Sequence, residues 1–294
     1  MLNQEQIVYL NGEFLPLSQA KVSVLDRGFL FGDGVYEVIP VYGGSPLRLA
    51  EHLQRLENSL SGIRMVPPLD RQQWVLIFNR LIHGVDDQSI YLQVTRGVGT
   101  KRDHAFPLGI APTVFAMCTP IAPIPASGVK AITVPDIRWQ WCHVKAITLL
   151  ANVLQRQQAV DEGCAEAILL RDGYAMEGAA SNLFAVVDGV LLTPPKGNDI
   201  LPGITRDLVV ELAQANTMKF EERGITVDEL RRAEEVWLTS STREVLPVVE
   251  LDGRKVCDGV VGPVWARMNG LYQALKEELR KGSSVFNIRE LLDS

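Results

Sequence analysis

The stretch CTPIAPIPASG, residues 118–128, decides how this chain is divided. It closes the longest uncharged run of the sequence, from Ala105 to Val129, which is long enough to cross a bilayer but carries Pro107, Pro112, Pro120, Pro123 and Pro125. Proline removes an amide donor and clashes with the preceding turn, so no membrane helix forms there. Proline stiffness interleaved with small residues is the composition of an interdomain connection. The reading is an N-terminal domain over 1–120, a linker over 121–128 and a larger C-terminal domain over 129–294.

Upstream of the linker, IVYLNGEFLPL (7–17) sets Asn11-Gly12 between alternating apolar residues, which signals a two-residue hairpin. GVYEVIPVYGGSPLRL (34–49) adds β-prone runs around a second glycine turn. AEHLQRLENSLSGIRM (50–65) and DRQQWVLIFNRLIHGV (70–85) then space their apolar residues as helices do. SIYLQVTRGV (89–98) and TVFAMC (113–118) return to strands, giving an antiparallel sheet with helices on one side. Downstream, VKAITVPDIRW (129–139) reads as a strand. TLLANVLQRQQAVDEGC (148–164) reads as a helix whose apolar positions 149, 150, 153, 154 and 160 are expected to pack on a sheet. AEAILLRDGYAMEG, SNLFAVVDGVLLT and EVWLTSSTREVLPVVELDGRKV form a meander of paired strands with Asp-Gly turns at 172 and 188. Helices are predicted near 205–216, 226–233 and 263–280, and the tail SSVFNIRELLDS (283–294) is assigned no structure. The fold class is α+β. VKAIT occurs at both 129–133 and 144–148, too short a match to define a repeat.

The chain has 294 residues with 47% hydrophobic and 22% charged, the composition of a folded globular protein. A net charge of −6 gives no basic field for nucleic acid or an anionic membrane, so small molecules or proteins are the expected partners. Cys118, Cys142, Cys164 and Cys257 form no CxxC, and the start MLNQEQ has no secretory pattern, so a reducing, cytoplasmic setting is expected. No phosphate loop GxxxxGK[ST] occurs, and the glycine pairs of FGDGVYE and RGVGTKR lack the third glycine of a dinucleotide fingerprint. His52, His83, His104 and His143 make no zinc spacing, so no metal is expected, and there is no GxSxG elbow.

Four stretches carry a resemblance: DRGFLFGDGVYEV (26–38), the lysine of VKAITLLANV (144–153), EGAASNLF (177–184) and LPGITRD (201–207). In this order, from about residue 8 to about 260, the chain resembles the fold-type IV pyridoxal-phosphate enzymes, the class IV aminotransferases. Within that family it is most similar to the D-amino acid transaminases. The resemblance implies a two-domain architecture, with a small α/β N-terminal domain and a larger β-barrel-like C-terminal domain with flanking helices. It also implies pyridoxal 5'-phosphate as cofactor and a homodimer.

By that resemblance, Lys145 is the lysine that holds the cofactor covalently and moves the substrate proton, a role that needs a desolvated amine. The residues alone do not choose between Lys145 and Lys130 of the duplicated pentapeptide. Glu177 matches the carboxylate against the cofactor's ring nitrogen, whereas read alone it is a strand-end glutamate in solvent. Arg55, Ile204, Thr205 and Ser241 match the phosphate site, where a helix start and a forked guanidinium suit a dianion. Thr205 is also a good N-cap and Arg55 an ordinary helix-surface residue. Leu201 matches the apolar residue against the ring.

Tyr36 and the pair Arg102/His104 of VTRGVGTKRDHAFP (94–107) resemble the α-carboxylate grip of the D-amino acid transaminases, whose arginine and histidine reach in from the neighbouring subunit. Residues two apart share a face if this piece is extended, and otherwise KRDH is a charged loop. One residue more than the family pattern stands before the triplet. The activity implied is transfer of an amino group between D-amino acids, of the D-alanine and D-glutamate type, and 2-oxo acids. The alternatives on the same fold are a branched-chain L-amino acid or amine aminotransferase and aminodeoxychorismate lyase. Outside the enzyme class stands a metabolite-binding protein that would stay colourless with the cofactor.

Overall fold

The computed structural model describes residues 5–125 and 127–281, and the tail SSVFNIRELLDS lies outside them. By internal packing the chain forms two compact units. The first takes in Met1–Ile121, Val144–Thr148 and Glu278–Ser294, so far as these are described, and the second Ala122–His143 with Leu149–Glu277. The expected boundaries named one crossing at 121–128. Here the short stretch around Lys145, placed by sequence in the 129–294 domain, packs with the first unit instead.

In the first unit, β1 (Ile7–Leu10) and β2 (Glu13–Pro16) pair antiparallel around Asn11 and Gly12, both at positive φ as a hairpin turn of this length requires. The short helix α1 (Arg27–Phe31) leads to β3 (Gly34–Tyr42), which turns at Gly43-Gly44 into β4 (Ser45–Pro46). Two helices follow, α2 (Leu49–Gly62) and α3 (Arg71–Leu81), the second started by a capping box between Asp70 and Gln73. They are followed by β5 (Gln88–Thr95) and β6 (Thr113–Pro120). The strands make a fully antiparallel sheet in the order β2-β1-β6-β5-β3-β4. Alternation along the strands puts Val35, Ile39, Val41, Ile90, Leu92, Val94, Val114 and Ala116 on the face that receives both helices. There they pack with Leu53, Leu56 and Leu60 of α2 and with Trp74, Phe78 and Leu81 of α3. Each fully buried Val, Leu, Ile or Phe among them contributes about 1.5–3 kcal/mol by leaving water.

The second unit begins with β7 (Val129–Pro135) and α4 (Leu150–Asp161). A meander follows: β8 (Glu166–Arg171), β9 (Tyr174–Gly178), β10 (Asn182–Val187) and β11 (Val190–Thr193). Then come α5 (Ile204–Ala215), β12 (Phe220–Glu222), β13 (Ile225–Thr226) and α6 (Val227–Arg232). β14 (Glu235–Ser240), β15 (Glu244–Leu251), β16 (Arg254–Lys255) and α7 (Pro263–Arg280) complete the described chain. Their sheet has ten strands, ordered β12-β11-β10-β14-β15-β7-β8-β9-β13 with β16 on β15. β7 inserts parallel to both neighbours, so the barrel-like sheet is mixed rather than a pure meander.

One expectation fails. The apolar positions of α4 do not face the sheet: Leu150 is 71% exposed, and Val153, Leu154 and Val160 are exposed with it. The sheet side is formed by Asn152, Gln155 and Ala159, one helical face, where Asn152 donates to the Ala179 carbonyl at 2.8 Å and Gln155 to that of Pro135 at 2.6 Å. Strand-end carbonyls facing the helix reward amide side chains there. Among the described residues no helix is long and apolar enough to cross a membrane.

Candidate active site

Two groups of candidate residues occur, one in each unit. In the first, Val144–Thr148 lies along the free edge of β3: the Tyr36 amide donates to the Lys145 carbonyl at 3.0 Å and that of Ile147 to Gly34 at 3.1 Å. Val35 pairs with Ala146. Period-two alternation therefore drops Val144 and Ala146 into the core and lifts Lys145 to the same side as Tyr36. Lys145 Nζ sits 4.1 Å from the centre of the Tyr36 ring. Lys130, its twin in the duplicated pentapeptide, is instead an exposed residue of β7 paired with Glu250 at 3.0 Å, so structure separates what local sequence left equal.

Glu37, next along β3, points the other way and is fully buried. Arg55, buried on α2, grips it through Nε at 2.7 Å and Nη2 at 2.8 Å, and His52 Nδ1 stands 2.9 Å from the same carboxylate. Burial opposes the charge of Glu37, yet the Arg55 guanidinium and the His52 bond more than offset it and hold the carboxyl far below its ordinary range. Burial lowers the pKa of His52 and Glu37 opposes that shift. Arg55 is thus no helix-surface residue.

The motif DRGFLFGDG explains itself in the same unit. Asp26 caps α1, accepting from the Gly28 amide at 2.7 Å and from Thr113 Oγ1 at 2.6 Å. A Cβ on Gly28 would stand 2.3 Å from Thr95 Cγ2, and Gly32 closes the helix at φ 65°. Arg27 and Arg96 share Asp33, at 2.7 and 2.8 Å. Arg102 and His104 lie in the loop after β5, not on a strand, so their convergence does not come from strand alternation. Both pack on Phe31: the Arg102 guanidinium is 5.1 Å and the His104 ring 5.3 Å from its centre. Among the described residues no hydrogen bond or ring contact joins either of them to Tyr36.

In the second unit Glu177 is the penultimate residue of β9 and is only 4% exposed, which removes the solvent reading. Its oxygens accept from Asn182 Nδ2 at 2.9 Å, from the Leu201 amide at 3.1 Å, and from Arg138 Nη1. Burial pushes its carboxyl up to about 7 even against Arg138. Arg138 is itself fixed by Asp136, through Nε at 3.0 Å and Nη2 at 2.9 Å. Asn182 also donates to the Leu201 carbonyl at 2.8 Å, so Leu201 enters this cluster through its backbone. Ile204 and Thr205 are the first two residues of α5 and are buried. The cap is Gly203, and no side chain caps this start, so Thr205 is not the N-cap that its residue type suggested. Ser241 lies in the turn between β14 and β15.

The family model for amino-transferase class IV matches residues 34–251. The chain belongs to the class IV aminotransferases. This aminotransferase is 40% identical over 263 residues to the D-alanine aminotransferase of Staphylococcus aureus strain MW2, a match over 87% of the chain and 93% of the relative. It is 39% identical over 262 residues to that of Bacillus licheniformis, covering 87% and 92%. Among solved structures it resembles the branched-chain amino acid aminotransferase of Escherichia coli, with TM-score 0.84, 28% identity and coverage of 92% and 94%. The T.th. branched-chain amino acid aminotransferase complexed with N-(5'-phosphopyridoxyl)-L-glutamate gives TM-score 0.84 at 28% identity, covering 95% of each chain. The α+β fold read from sequence is thus that of the fold-type IV aminotransferases.

Sequence reading of this aminotransferase missed Glu37, His52, Arg138 and Asn182. Glu37 carried a signal: it is the charged member of the otherwise apolar series 35, 37, 39 and 41 on one strand face. Arg138 carried none, because its partner lies 39 residues away.

Proposed function

We propose that this class IV aminotransferase moves the amino group between D-amino acids, of the D-alanine and D-glutamate kind, and 2-oxo acids, as a homodimer with pyridoxal 5'-phosphate. The residues present suit that cofactor. The buried, uncapped start of α5 offers backbone N–H groups to a phosphate dianion, and Ser241 and Arg55 are the side chains assigned to the same group. Glu177, poised near neutral pH, suits a carboxylate that shares a proton with a ring nitrogen, while Asn182, Arg138 and the Leu201 amide fix its direction. Lys145 would hold the cofactor through Nζ. Bound there, pyridoxal phosphate supplies a sink for the electrons left when the substrate loses its α-proton. Lys145 Nζ would take that proton from the α-carbon of the amino donor and, in the opposite half-reaction, give one to the corresponding carbon of the 2-oxo acid, with the Tyr36 ring 4.1 Å from Nζ orienting the amine.

The observation that carries the D-amino acid reading is the seating of Arg102 and His104 on one ring, Phe31. Two donors so paired suit one carboxylate, and fixing the carboxylate determines which α-hydrogen meets Lys145. The 40% identity to D-alanine aminotransferases supports it, whereas the branched-chain structures share the scaffold at 28%. The exposed apolar side of α4, with Ile137, Trp139 and Trp141 also exposed in the same unit, supports a second copy as its cover. Four unpaired cysteines support a reducing, cytoplasmic setting. The test is the visible spectrum of the cofactor-loaded protein. Bleaching with D-alanine and not with L-leucine is expected; bleaching with L-leucine alone transfers the activity to the branched-chain reading. Lys145→Ala should abolish both the band and turnover.

A further inference from the structure

We propose that Phe31 and Arg27 of α1 are positioning residues for the carboxylate grip, holding Arg102 and His104 as a preformed pair. This rests on the reading of Arg102 and His104 given above. The loop that carries them is tethered at its base and at its tip. At the base, Gly97 stands at φ 103° with a built Cβ only 2.0 Å from the Ala111 carbonyl oxygen, and Val98 bridges to Asp26. At the tip, buried Arg27 donates to three successive backbone carbonyls: Nη1 to Asp103 at 2.6 Å and Ala105 at 3.3 Å, and Nη2 to His104 at 3.2 Å. Phe106, the next residue, lies 3.7 Å from the Arg96 guanidinium, and Arg96 itself is held by Asp33 and the Ile63 carbonyl.

A peptide carbonyl that accepts a hydrogen bond cannot rotate away, so Arg27 fixes the backbone on both sides of His104. Phe31 then fixes the side chains. Its ring lies 4.8 Å from Arg27, 5.1 Å from Arg102 and 5.3 Å from His104. Arginine over an aromatic face is attracted by the ring quadrupole and loses rotamer freedom before any ligand arrives. Binding of the carboxylate then costs less ordering. The prediction concerns affinity for the α-carboxylate, not the chemistry that follows.

The experiment measures KM and kcat of the holoenzyme for D-alanine and 2-oxoglutarate in Phe31→Leu, Arg27→Lys and the double variant Arg102→Ala/His104→Ala. Phe31→Leu is also combined with that double variant. Phe31→Leu keeps the apolar volume, and Arg27→Lys keeps the charge beside Asp33 should the larger change fail to fold. Phe31→Leu is expected to raise KM about tenfold with kcat little changed, and to have no further effect once Arg102 and His104 are alanine. An equal rise in both backgrounds would overturn the proposal, because Phe31 would then act through the fold at large. A raised KM in Arg102→Ala/His104→Ala beside unchanged values in Phe31→Leu and Arg27→Lys would overturn it while leaving the carboxylate grip intact. Unchanged KM in Arg102→Ala/His104→Ala would remove the grip itself and this proposal with it.

Discussion

Replacing Glu37 with glutamine leaves the shape of the first unit intact and removes one charge from a site sealed from water. Glu37 accepts from Nε and Nη2 of Arg55 at 2.7 and 2.8 Å and meets His52 Nδ1 at 2.9 Å. The amide can accept one of the arginine bonds, but its NH2 must face a donor on the other side. Arg55 then faces a neutral amide where the parent sets a carboxylate. Breaking a buried ion pair from one side costs about 3–5 kcal/mol, which for a unit of this size lowers the melting temperature by roughly 6–20 °C. The assay is thermal and urea unfolding of the protein in a phosphate-free buffer with no cofactor added. The pH dependence has a definite sign. Glu37 titrates far below its unfolded value, so its contribution is present above a pH of about 4.3 and is lost as the pH falls further. The gap between parent and Glu37→Gln should be flat from pH 8 to 5 and narrow only below that value. A companion pair, Glu37→Met alone and with Arg55→Met, should show the double variant regaining much of the loss. A cost for Glu37→Gln below about 1 kcal/mol at pH 7.5 would refute the claim that this pair is buried and coupled.

Glu177 predicts the opposite slope: its carboxyl is raised by burial to about 7. The stability it contributes is full below its unfolded pKa and lost as pH rises through 7. Apoprotein Glu177→Gln should therefore gain on the parent between pH 5 and 8, by up to ~3 kcal/mol, read from urea midpoints. Gly203→Ala should cost about 1–3 kcal/mol and weaken cofactor retention. The reason is that the new Cβ would fall 1.8 Å from Asn182 Oδ1, disturbing the amide that holds Glu177 and Leu201; differential scanning with and without added cofactor checks both. Leu154→Glu, on the exposed side of α4, should leave the melting temperature of the monomer within about 2 °C and shift the mass seen by light scattering from two chains to one.

Local chemistry made much of the fold legible. Asn11-Gly12, Asp172-Gly173 and Asp188-Gly189 each sit where two paired strands turn, because their backbones tolerate positive φ. The reading of α4 went wrong for a physical reason: an apolar stripe says only that something covers it, not what. The chemistry of the site divided the same way. Lys145, Glu177 and Arg55 were singled out through motifs, but the contacts that fix buried side chains of this kind are long-range. Arg138 reaches Glu177 across 39 residues and Arg27 reaches the Asp103 carbonyl across 76. Such partners are set by sheet register, which no window of sequence contains.

The return of Val144–Thr148 to the first unit also constrains how the protein can be made. Val144 and Ala146 belong to the core that begins with Tyr9 and Val35. During synthesis, release of the chain through Ile121 therefore delivers a first unit whose interior is still open. It must wait for residues that emerge only after the whole of β7, and again for the end of α7, where Arg280 closes on Asp87 at 2.7 Å. A ribosome would hold this unit unfinished for most of its elongation, with apolar surface open to chaperones. For the same reason, cutting the gene at the proline linker cannot yield a self-sufficient half: a fragment ending there lacks two core residues, and its complement carries Val144–Thr148 with no β3 edge to rest on.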